Sequence, residues 1–480
     1  MIRQTLVYAY VFGFGLYAFK DWYKSLCALI LMMAAVRHPD MPRTLLGIQG
    51  LSPWNMLLIF VILGCLAAKS KEGLKWDMPS MITKLLVAYF LLIIIGFIRM
   101  IMDTGGIVDY ALLRGRMPPG KVSLISEYLI NPIKWTIPGM LLFYGCNSRE
   151  RVKLACFSIV GLYFLLAVQI IRWMPFSALA GGEALDRRAV KILSNEIGMH
   201  RVTLSMMMAG AFWAAILLRN VAKDALQRFL VTIASFTILF AQALTGGRAG
   251  YVAWAATGMT ISFLRFKKYL VLIPIFACLI IFLVPAVSER FLGGVGSSSE
   301  DAYRERLGGA FVVAGVDLYK MTSGRIVAWP YVLDEVAEAP IFGHGRLAMQ
   351  RTGLSRYLLE NLYESFPHPH NAYLQWLLDN GLLGFVIIIL FYALMMKFSF
   401  SLLKDSRDIL FVVTGGIAFS LLTAYLVAGI GSQYFYPVEE SVGRWAAIGL
   451  MLRMYVERSN ASEVVFETDE TKNKNKWKEL

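Results

Sequence analysis

Residues 82–102 read ITKLLVAYFLLIIIGFIRMIM, and the charged side chains in this run are Lys84 and Arg99. A helix that crosses the hydrocarbon core of a bilayer needs about 20 predominantly apolar residues. The strands of a membrane β-barrel would instead alternate in polarity over about ten residues. The run therefore predicts a transmembrane α-helix.

Comparable apolar runs recur along the whole chain of 480 residues. Apolar residues make up 57% of the chain and charged residues 17%, whereas soluble domains carry roughly 45–50% and about 25%. This composition argues against a soluble enzyme and predicts an all-α polytopic membrane protein with about 12–13 transmembrane helices. The runs lie near residues 5–19, 25–36, 54–68, 82–102, 131–146, 154–173, 200–218, 229–244, 249–264, 269–287, 372–396, 408–430 and 442–456.

Lys and Arg are concentrated in alternate connections between these runs. Six connections hold 17 of them in 50 residues, and five others hold 9 in 86. Because basic loops stay in the cytoplasm, the first set is predicted to be cytoplasmic and the second to face outward. The same rule accounts for the net charge of +14 without a nucleic-acid partner. The basic set is 20–24, 69–81, 147–153, 219–228, 265–268 and 397–407, and the outer set is 37–53, 103–130, 174–199, 245–248 and 431–441.

One connection, residues 288–371, is much longer than the others, and the same alternation predicts that it is a periplasmic loop. Loops of this length are usually functional. The chain is thus predicted to comprise an N-terminal bundle of about ten spans at 1–287, this loop, C-terminal transmembrane helices at 372–457 and a disordered cytoplasmic tail at 458–480. The Gly- and Ser-rich residues 293–299 are expected to form a lid or hinge.

Two of the five histidines, His368 and His370, lie in the stretch PHPHNAYLQWLLDNGLLG at residues 367–384, where the long loop meets a membrane helix. Imidazole titrates near neutral pH and accepts a proton from a hydroxyl group, so a histidine at the water boundary suits a general base. Asn is a favoured residue at helix N-termini. The alternative is therefore that His370 and Asn371 only cap the eleventh helix.

Arg325 lies in TSGRIVAW at residues 322–329, at the start of the first of two amphipathic helices that are predicted at 325–337 and 355–366. A guanidinium group there suits binding of phosphate oxygens beside the amides of the helix N-terminus. The alternative is an interfacial arginine that binds lipid headgroups.

Arg248 lies in LTGGRAGY at residues 244–251, a glycine-rich break between two spans. A charge at this depth costs roughly 2.5–3.5 kcal/mol on insertion scales, so it indicates a functional site. The glycines let a ligand approach the backbone closely. A tight hairpin with a snorkelling arginine is the alternative. Arg201, which follows His200 at the outer start of the seventh span, is a weaker candidate of the same type.

Arg248, Arg325 and His370 come from three regions of the chain but all fall on the predicted outer face. Two guanidinium groups and one base suit a lipid-linked diphosphate, because the arginines stabilise the leaving group while the histidine deprotonates an acceptor hydroxyl. The outer loops contain no DxD pair, and the chain contains no GxxxxGK[ST] motif. We therefore expect no metal ion and no cofactor.

The segment 245–384 resembles the signature of the O-antigen ligase and polymerase superfamily. The TGGRA turn at 245–249 is similar to the Ser/Gly-Arg-Gly/Ala turn of that family, with Gly247 where Ser is common. Asp379 stands where many members have Glu, which keeps the charge. The other matching residues are Gly324, Arg325, Trp329, Pro340, Gly343, Gly345, His370, Asn371, Leu374, Gly381 and Gly384.

The resemblance implies a multi-pass glycosyltransferase of the bacterial inner membrane, surrounded by membrane lipids, with its active site facing the periplasm. Such an enzyme moves a glycan from undecaprenyl diphosphate to lipid A core, a protein or another glycan. Carried onto this sequence, Arg248 and Arg325 become the residues that bind the diphosphate, and His370 becomes the catalytic base. Candidates for supporting roles are Arg201, His368, Asn371 and Asp379.

Three alternatives stay open at the level of sequence. A repeat-unit polymerase of the same superfamily needs the same donor site and differs from a ligase in its acceptor. A lipid-linked sugar transporter is expected to carry charges near the bilayer midplane and to show internal repeats, whereas these charges gather at one face. A structural or interaction protein leaves their convergence unexplained.

Overall fold

The computed structural model confirms the all-α polytopic class that the sequence predicts. In the part of the chain that it describes, the structure is helical apart from turns and two paired segments of two residues. Residues 293–299, predicted as a lid or hinge, lie outside this part. The described residues are 2–45, 47–48, 50–175, 181–292, 312–313, 316–317, 319, 322–431 and 434–476.

Helices follow one another with short connections, and π-helical turns occur at Ser126–Ile130 and Leu193–Ile197. The elements are α1 (Ile2–Tyr17), α2 (Trp22–Met32), α3 (Pro53–Ala68), α4 (Ser80–Met102), α5 (Gly105–Leu113), α6 (Lys121–Ile125), α7 (Asn131–Lys134), α8 (Ile137–Gly145), α9 (Arg149–Trp173), α10 (Gly182–Ile192), α11 (Arg201–Leu218), α12 (Ala225–Leu244), α13 (Arg248–Leu264), α14 (Tyr269–Leu283), α15 (Ala286–Leu292), β1 (Val312–Val313), β2 (Val316–Asp317), α16 (Arg325–Glu338), α17 (Ala348–Arg351), α18 (Leu354–Leu362), α19 (Ala372–Leu403), α20 (Ile409–Gly429) and α21 (Val442–Lys476).

Each apolar run of the sequence corresponds to one or two of these helices. Within the described residues, 6 helices are long and apolar enough to cross a membrane. They are α4, α9, α11 with the turn that follows it, α12, α19 and α20. Three shorter apolar helices are α2, α3 and α14. The chain is thus a multi-pass membrane protein, and the count of about 12–13 spans stays a prediction.

Ion pairs join connections that the charge pattern assigns to the same side of the membrane. Arg151 binds Glu72 at 2.6 Å, and both belong to the set predicted as cytoplasmic. Arg37 binds Glu439 at 2.6 Å, and both belong to the set predicted as outer. Two further pairs on the first side are Arg149 with Asp408, and Arg458 with Asp405. The grouping agrees with the alternation of the helices.

Helices α11 and α20 form the centre of the bundle. In their most apolar windows, 83% and 89% of the residues are buried, against 33% in α4 and α12. Helix α11 begins at Arg201. Because this helix is buried among the others, Arg201 lies at one end of the protein core rather than at the lipid surface.

Helix α19 is interrupted near its first third. Gly381 has φ 63° and ψ −170°, which is outside the helical region. The segment 340–345, which follows α16, docks against this break through backbone hydrogen bonds. The amides of Leu382 and Leu383 donate to the carbonyls of Pro340 and Ile341, at 2.8 and 3.1 Å. On the other side of the break, the amides of His344 and Gly345 donate to Leu378 and Asp379, at 2.9 and 2.7 Å.

Glycine is required where these two segments meet. A Cβ atom on Gly343 would lie 2.5 Å from the amide nitrogen of Gly381, and a Cβ atom on Gly381 would collide with the backbone of Ile341. Gly381 also has a positive φ, which other L-residues adopt at a cost. Pro340, Gly343, Gly345 and Gly381 therefore form the contact that ties the long loop to α19.

One boundary differs from the sequence prediction. The second amphipathic helix ends at Leu362 rather than 366, because Tyr363 adopts a left-handed conformation with φ 55°. The last helix, α21, ends at Lys476 and is anchored in the core by Trp445 and Met451. The disordered tail at 458–480 stays a prediction.

We expect Gly381→Ala to destabilise the protein more than Gly353→Ala does. Both glycines have a positive φ, but a Cβ atom on Gly353 would meet no atom within 4 Å. The control variant therefore carries only the conformational penalty of about 1–2 kcal/mol, whereas Gly381→Ala adds a backbone collision. Thermal unfolding in detergent measures the difference, and equal melting temperatures for the two variants would contradict the proposed docking contact.

Candidate functional site

Three arginines occupy the first position of three different helices. Arg201 begins α11, Arg248 begins α13 and Arg325 begins α16. A fourth helix, α19, begins at Ala372, directly after His370 and Asn371. Helix N-termini carry partial positive charge and unsatisfied amide donors, so each of them favours an anion.

Hydrogen bonds and close contacts bring these helix starts together. Arg201 Nη1 donates to the carbonyl of Gly246 at 3.1 Å, in the turn before Arg248. A Cβ atom on Gly431 would lie 3.6 Å from Ala249 Cβ and 3.7 Å from Arg325 Nη1. The three arginines therefore surround one region on the predicted outer face, which we call the arginine cluster.

The glycine-rich turn before Arg248 fits closely against α11. Gly246 has φ 65°, and Ser205 Oγ donates to the carbonyl of Gly247 at 3.0 Å. A Cβ atom on Gly247 would lie 2.6 Å from the Cβ of Ser205, so this position leaves little room for a side chain. A comparable reversal precedes Arg325, where Ser323 and Gly324 have φ 53° and 80°.

The arginine cluster is electrostatically strained. Arg325 is partly buried, and burial lowers its pKa, with further lowering by the positive charges of Arg201 and Arg248. Guanidinium groups stay charged at physiological pH. The region therefore holds a concentrated positive potential, which an anionic group would relieve.

The two histidines of the motif lie side by side beside this cluster. Their ring centroids are 4.0 Å apart, and the amide of His370 donates to His368 Nδ1 at 3.2 Å. His368 Nε2 is hydrogen-bonded to the hydroxyl of Tyr434. Trp329, on the helix that begins at Arg325, donates its indole N–H to the carbonyl of Pro369 at 3.0 Å. Residues 367–371, which we call the histidine loop, are thus held by hydrogen bonds from Trp329 and Tyr434.

Asn371, and not His370, caps the helix that follows the motif. Asn371 caps α19, since its Oδ1 accepts from the amides of Tyr373 and Leu374 at 3.0 and 3.1 Å. His370 has φ 51°, a left-handed conformation that is uncommon for a residue with a side chain. Such backbone strain is concentrated at functional sites in proteins.

His370 is neutral at physiological pH. Burial, followed by the positive charge of Arg325 and the proximity of His200, lowers the pKa of His370 to about 4. The pKa of His368 is lowered well below its usual value, first by burial and then by His370 and Arg346. Both rings therefore keep an unprotonated nitrogen, which is the form that accepts a proton.

Asp379 stabilises the fold around the site through Ala348, Tyr436 and Arg346. Its carboxylate accepts from the amide of Ala348 at 3.2 Å and from the hydroxyl of Tyr436 at 3.1 Å. The Arg346 guanidinium lies 3.5 Å away and stacks on the ring of Tyr436 at 3.4 Å. Sequence reasoning missed Arg346 and Tyr436, although the polar triplet at 379–381 in an apolar run indicated an unusual membrane helix.

Glu439 and Glu440, in the last outer connection, form ion pairs. Arg37 binds Glu439 at 2.6 Å and Glu440 at 3.5 Å. The pKa of Glu440 is raised by burial, although Arg37 opposes this. In the described part of the chain, no group of three or more His, Cys, Asp or Glu side chains could hold a metal ion.

We expect His370 to make stability depend on pH. Its pKa is about 4 in the folded state and 6.5 ordinarily, so between these values only the unfolded chain takes up the proton. The free energy of unfolding of the wild type, relative to His370→Asn, should therefore be constant above pH 7. It should fall as pH drops from 6.5 towards 4, by at most about 1.4 kcal/mol per pH unit.

Asn tolerates a positive φ, so this variant keeps the backbone of the loop. Denaturant titrations of both proteins in detergent, at a series of pH values, provide the measurement. Parallel curves for wild type and variant would show that His370 titrates normally.

Comparison with known protein families gives one match. The model of the O-antigen ligase family matches residues 233–389, a segment that contains Arg248, Arg325 and His370 but not Arg201. The search of curated proteins found no match. The matched segment runs from within α12 to within α19, so it includes the glycine-rich turn, the long loop and the break at Gly381.

Proposed function

We propose that this chain, in which residues 233–389 match the O-antigen ligase family, is an integral-membrane glycosyltransferase. It transfers a glycan from undecaprenyl diphosphate to an acceptor hydroxyl at the periplasmic face of the bacterial inner membrane. The observation that carries this proposal is the arrangement of three arginines at helix N-termini beside a neutral histidine.

The arginine cluster suits the diphosphate. Guanidinium groups bind phosphate oxygens through paired N–H donors, and the N-termini of α11, α13 and α16 add amide donors and positive potential. The charge of a diphosphate leaving group increases as its bond to the sugar breaks. Preformed positive groups therefore stabilise the transition state more than the bound substrate.

His370 suits the role of general base. The acceptor oxygen forms a bond to the anomeric carbon of the donor sugar, and the bond from that carbon to the diphosphate oxygen breaks. Its electron pair leaves with undecaprenyl diphosphate, while His370 takes the proton of the acceptor hydroxyl. A bound diphosphate offsets the field of Arg325, which contributes to the low pKa of His370, and so makes the imidazole a stronger base.

An apolar cavity beside the arginine cluster suits the lipid part of the donor. It has a volume of about 320 Å³ and lies between α12, α13 and α14. Tyr251, three residues after Arg248, lines it together with Trp254 and Ile280. A polyprenyl chain whose diphosphate binds Arg248 would therefore meet apolar surface one helical turn away.

The test is donor consumption by purified protein in detergent, with undecaprenyl-diphosphate oligosaccharide, candidate acceptors and no added nucleotide or metal ion. Release of undecaprenyl diphosphate by the wild type supports the transferase. A ladder of products on the lipid carrier identifies a repeat-unit polymerase, whereas transfer of finished chains identifies a ligase. If the wild type consumes no donor, the proposal fails, and transport of the same lipid across vesicles is measured instead.

We expect His370→Asn to lose at least about 100-fold in kcat, the usual contribution of a general base. Its melting temperature should stay within about 3 °C of the wild type, because Asn accepts the backbone conformation of residue 370. His344→Asn is the matched control, since His344 lies in the same loop but bonds to the carbonyl of Glu335. A His370→Asn enzyme with normal turnover would exclude this residue as the base.

We expect Arg325→Lys to be as inactive as Arg325→Ala. Lysine keeps the charge but lacks the planar pair of donors that binds two phosphate oxygens. The exposed Arg356, which pairs with Glu360 on α18, provides the control Arg356→Lys, with activity equal to the wild type. Donor KM and kcat are measured for each variant, and full activity of Arg325→Lys would show that charge alone is sufficient.

A further inference from the structure

A second, polar crevice opens on the predicted outer face. It consists of two connected lobes of about 570 and 790 Å³, and both lobes include Arg37, Trp135 and Glu439 in their walls. The lining comes from four parts of the chain that precede, follow or form outer connections, namely residues 36–55, 122–135, 194–198 and 437–439. The crevice is separate from the apolar cavity beside Arg248.

Two parts of the crevice wall lie close in sequence to residues beside the two histidines. Gly198 lines the crevice and lies two residues before His200, and Arg37 Nη1 donates to the carbonyl of Gly198 at 3.4 Å. In the other part, Glu439 belongs to the short segment that starts at Tyr434, whose hydroxyl bonds to His368. Two parts of the crevice wall therefore continue along the chain into residues that contact the histidine loop.

The first lobe of the crevice carries more positive than negative side chains. Arg37 is neutralised by Glu439 and Glu440. In the described part of the chain, neither Arg43 nor Lys134 forms an ion pair with a carboxylate, and both line the first lobe. The Lys134 ammonium lies 4.0 Å from the ring centroid of Trp135.

The first lobe also offers uncharged polar groups. Its lining includes the indole of Trp135, the amide of Asn131 and the hydroxyl of Ser126. Sugar hydroxyl groups both donate and accept hydrogen bonds, so side chains of these kinds suit them.

We propose that this crevice binds the acceptor, as an oligosaccharide that carries acidic groups, with its acid directed to Arg43 and Lys134. The inference rests on the proposed glycosyl transfer, because the acceptor must reach the base from a side that the donor does not occupy. Indole, amide and hydroxyl groups mixed with charges suit a sugar chain and do not suit a lipid tail. The arginine cluster then remains available to the donor diphosphate.

The first test is binding by the purified protein in detergent, measured by calorimetry. The probes are hexagalacturonate, which is acidic, and maltohexaose, which is neutral. We expect hexagalacturonate to bind more tightly, and Arg43→Ala to weaken it about tenfold, the effect of one lost charge-assisted contact. Arg43 is exposed, so the variant should fold normally. The exposed Arg116, outside the lining, gives the control Arg116→Ala with unchanged affinity.

Inorganic pyrophosphate separates the two sites. Binding of hexagalacturonate should persist in saturating pyrophosphate and in Arg325→Ala, because both affect the arginine cluster. Displacement by pyrophosphate would overturn the proposal, since the probe would then occupy the donor site. Equal affinity in Arg43→Ala and Arg116→Ala, or no binding of hexagalacturonate to the wild type, would overturn it as well.

The second test is kinetic. Arg43→Ala should raise the KM for an acidic acceptor about tenfold while the KM for the donor stays the same. If the wild type releases no undecaprenyl diphosphate, the proposed function fails, but the binding experiment still decides whether the crevice takes a glycan. If the wild type is active and the acceptor KM of Arg43→Ala is unchanged, the crevice is not the acceptor site.

Discussion

The docking of the segment 340–345 into the break of α19 is the contact on which the site depends. The segment follows the helix that begins at Arg325, and α19 follows His370 directly. Four backbone hydrogen bonds join the two, on both sides of Gly381. A buried amide or carbonyl without a partner is costly, so the break in α19 and the segment 340–345 stabilise each other. Arg325 and His370 are therefore held at a fixed separation by backbone pairing rather than by their own side chains.

The arginine cluster lowers the stability of the fold that this contact supports. Partial burial and mutual repulsion both act against the charge of Arg325, as the direction of its pKa shift shows. Part of the cost is offset internally, because Arg201 donates to the carbonyl of Gly246. The remaining positive potential favours a ligand with several negative charges, which suits the proposed diphosphate better than a single carboxylate.

Local patterns predict the helices and the ends at which the candidate residues lie. The turn-forming Ser323 and Gly324 lead into a helix at Arg325, and Asn371 caps α19, as their residue types indicate. Contacts between distant segments were not predictable. Arg346, Tyr434 and Tyr436 reach Asp379 or His368 across 33 to 66 residues, and no periodicity encodes those pairs. The break at Gly381 was also missed, because an apolar run reads as one helix unless its polar interruption is paired with a specific loop.

The proposed glycosyl transfer needs the donor on one side of the base and the acceptor on the other. The histidine loop has different neighbours on its two sides. One side of the loop faces the helix that begins at Arg325, to which it is joined through Trp329 and Pro369. The other side contacts Tyr434, and the segment from Tyr434 to Glu439 continues into the wall of the polar crevice. The base that we propose between donor and acceptor must be rigid, since its distance to the acceptor hydroxyl controls proton transfer. The hydrogen bonds from both sides, together with the left-handed backbone of His370, supply that rigidity.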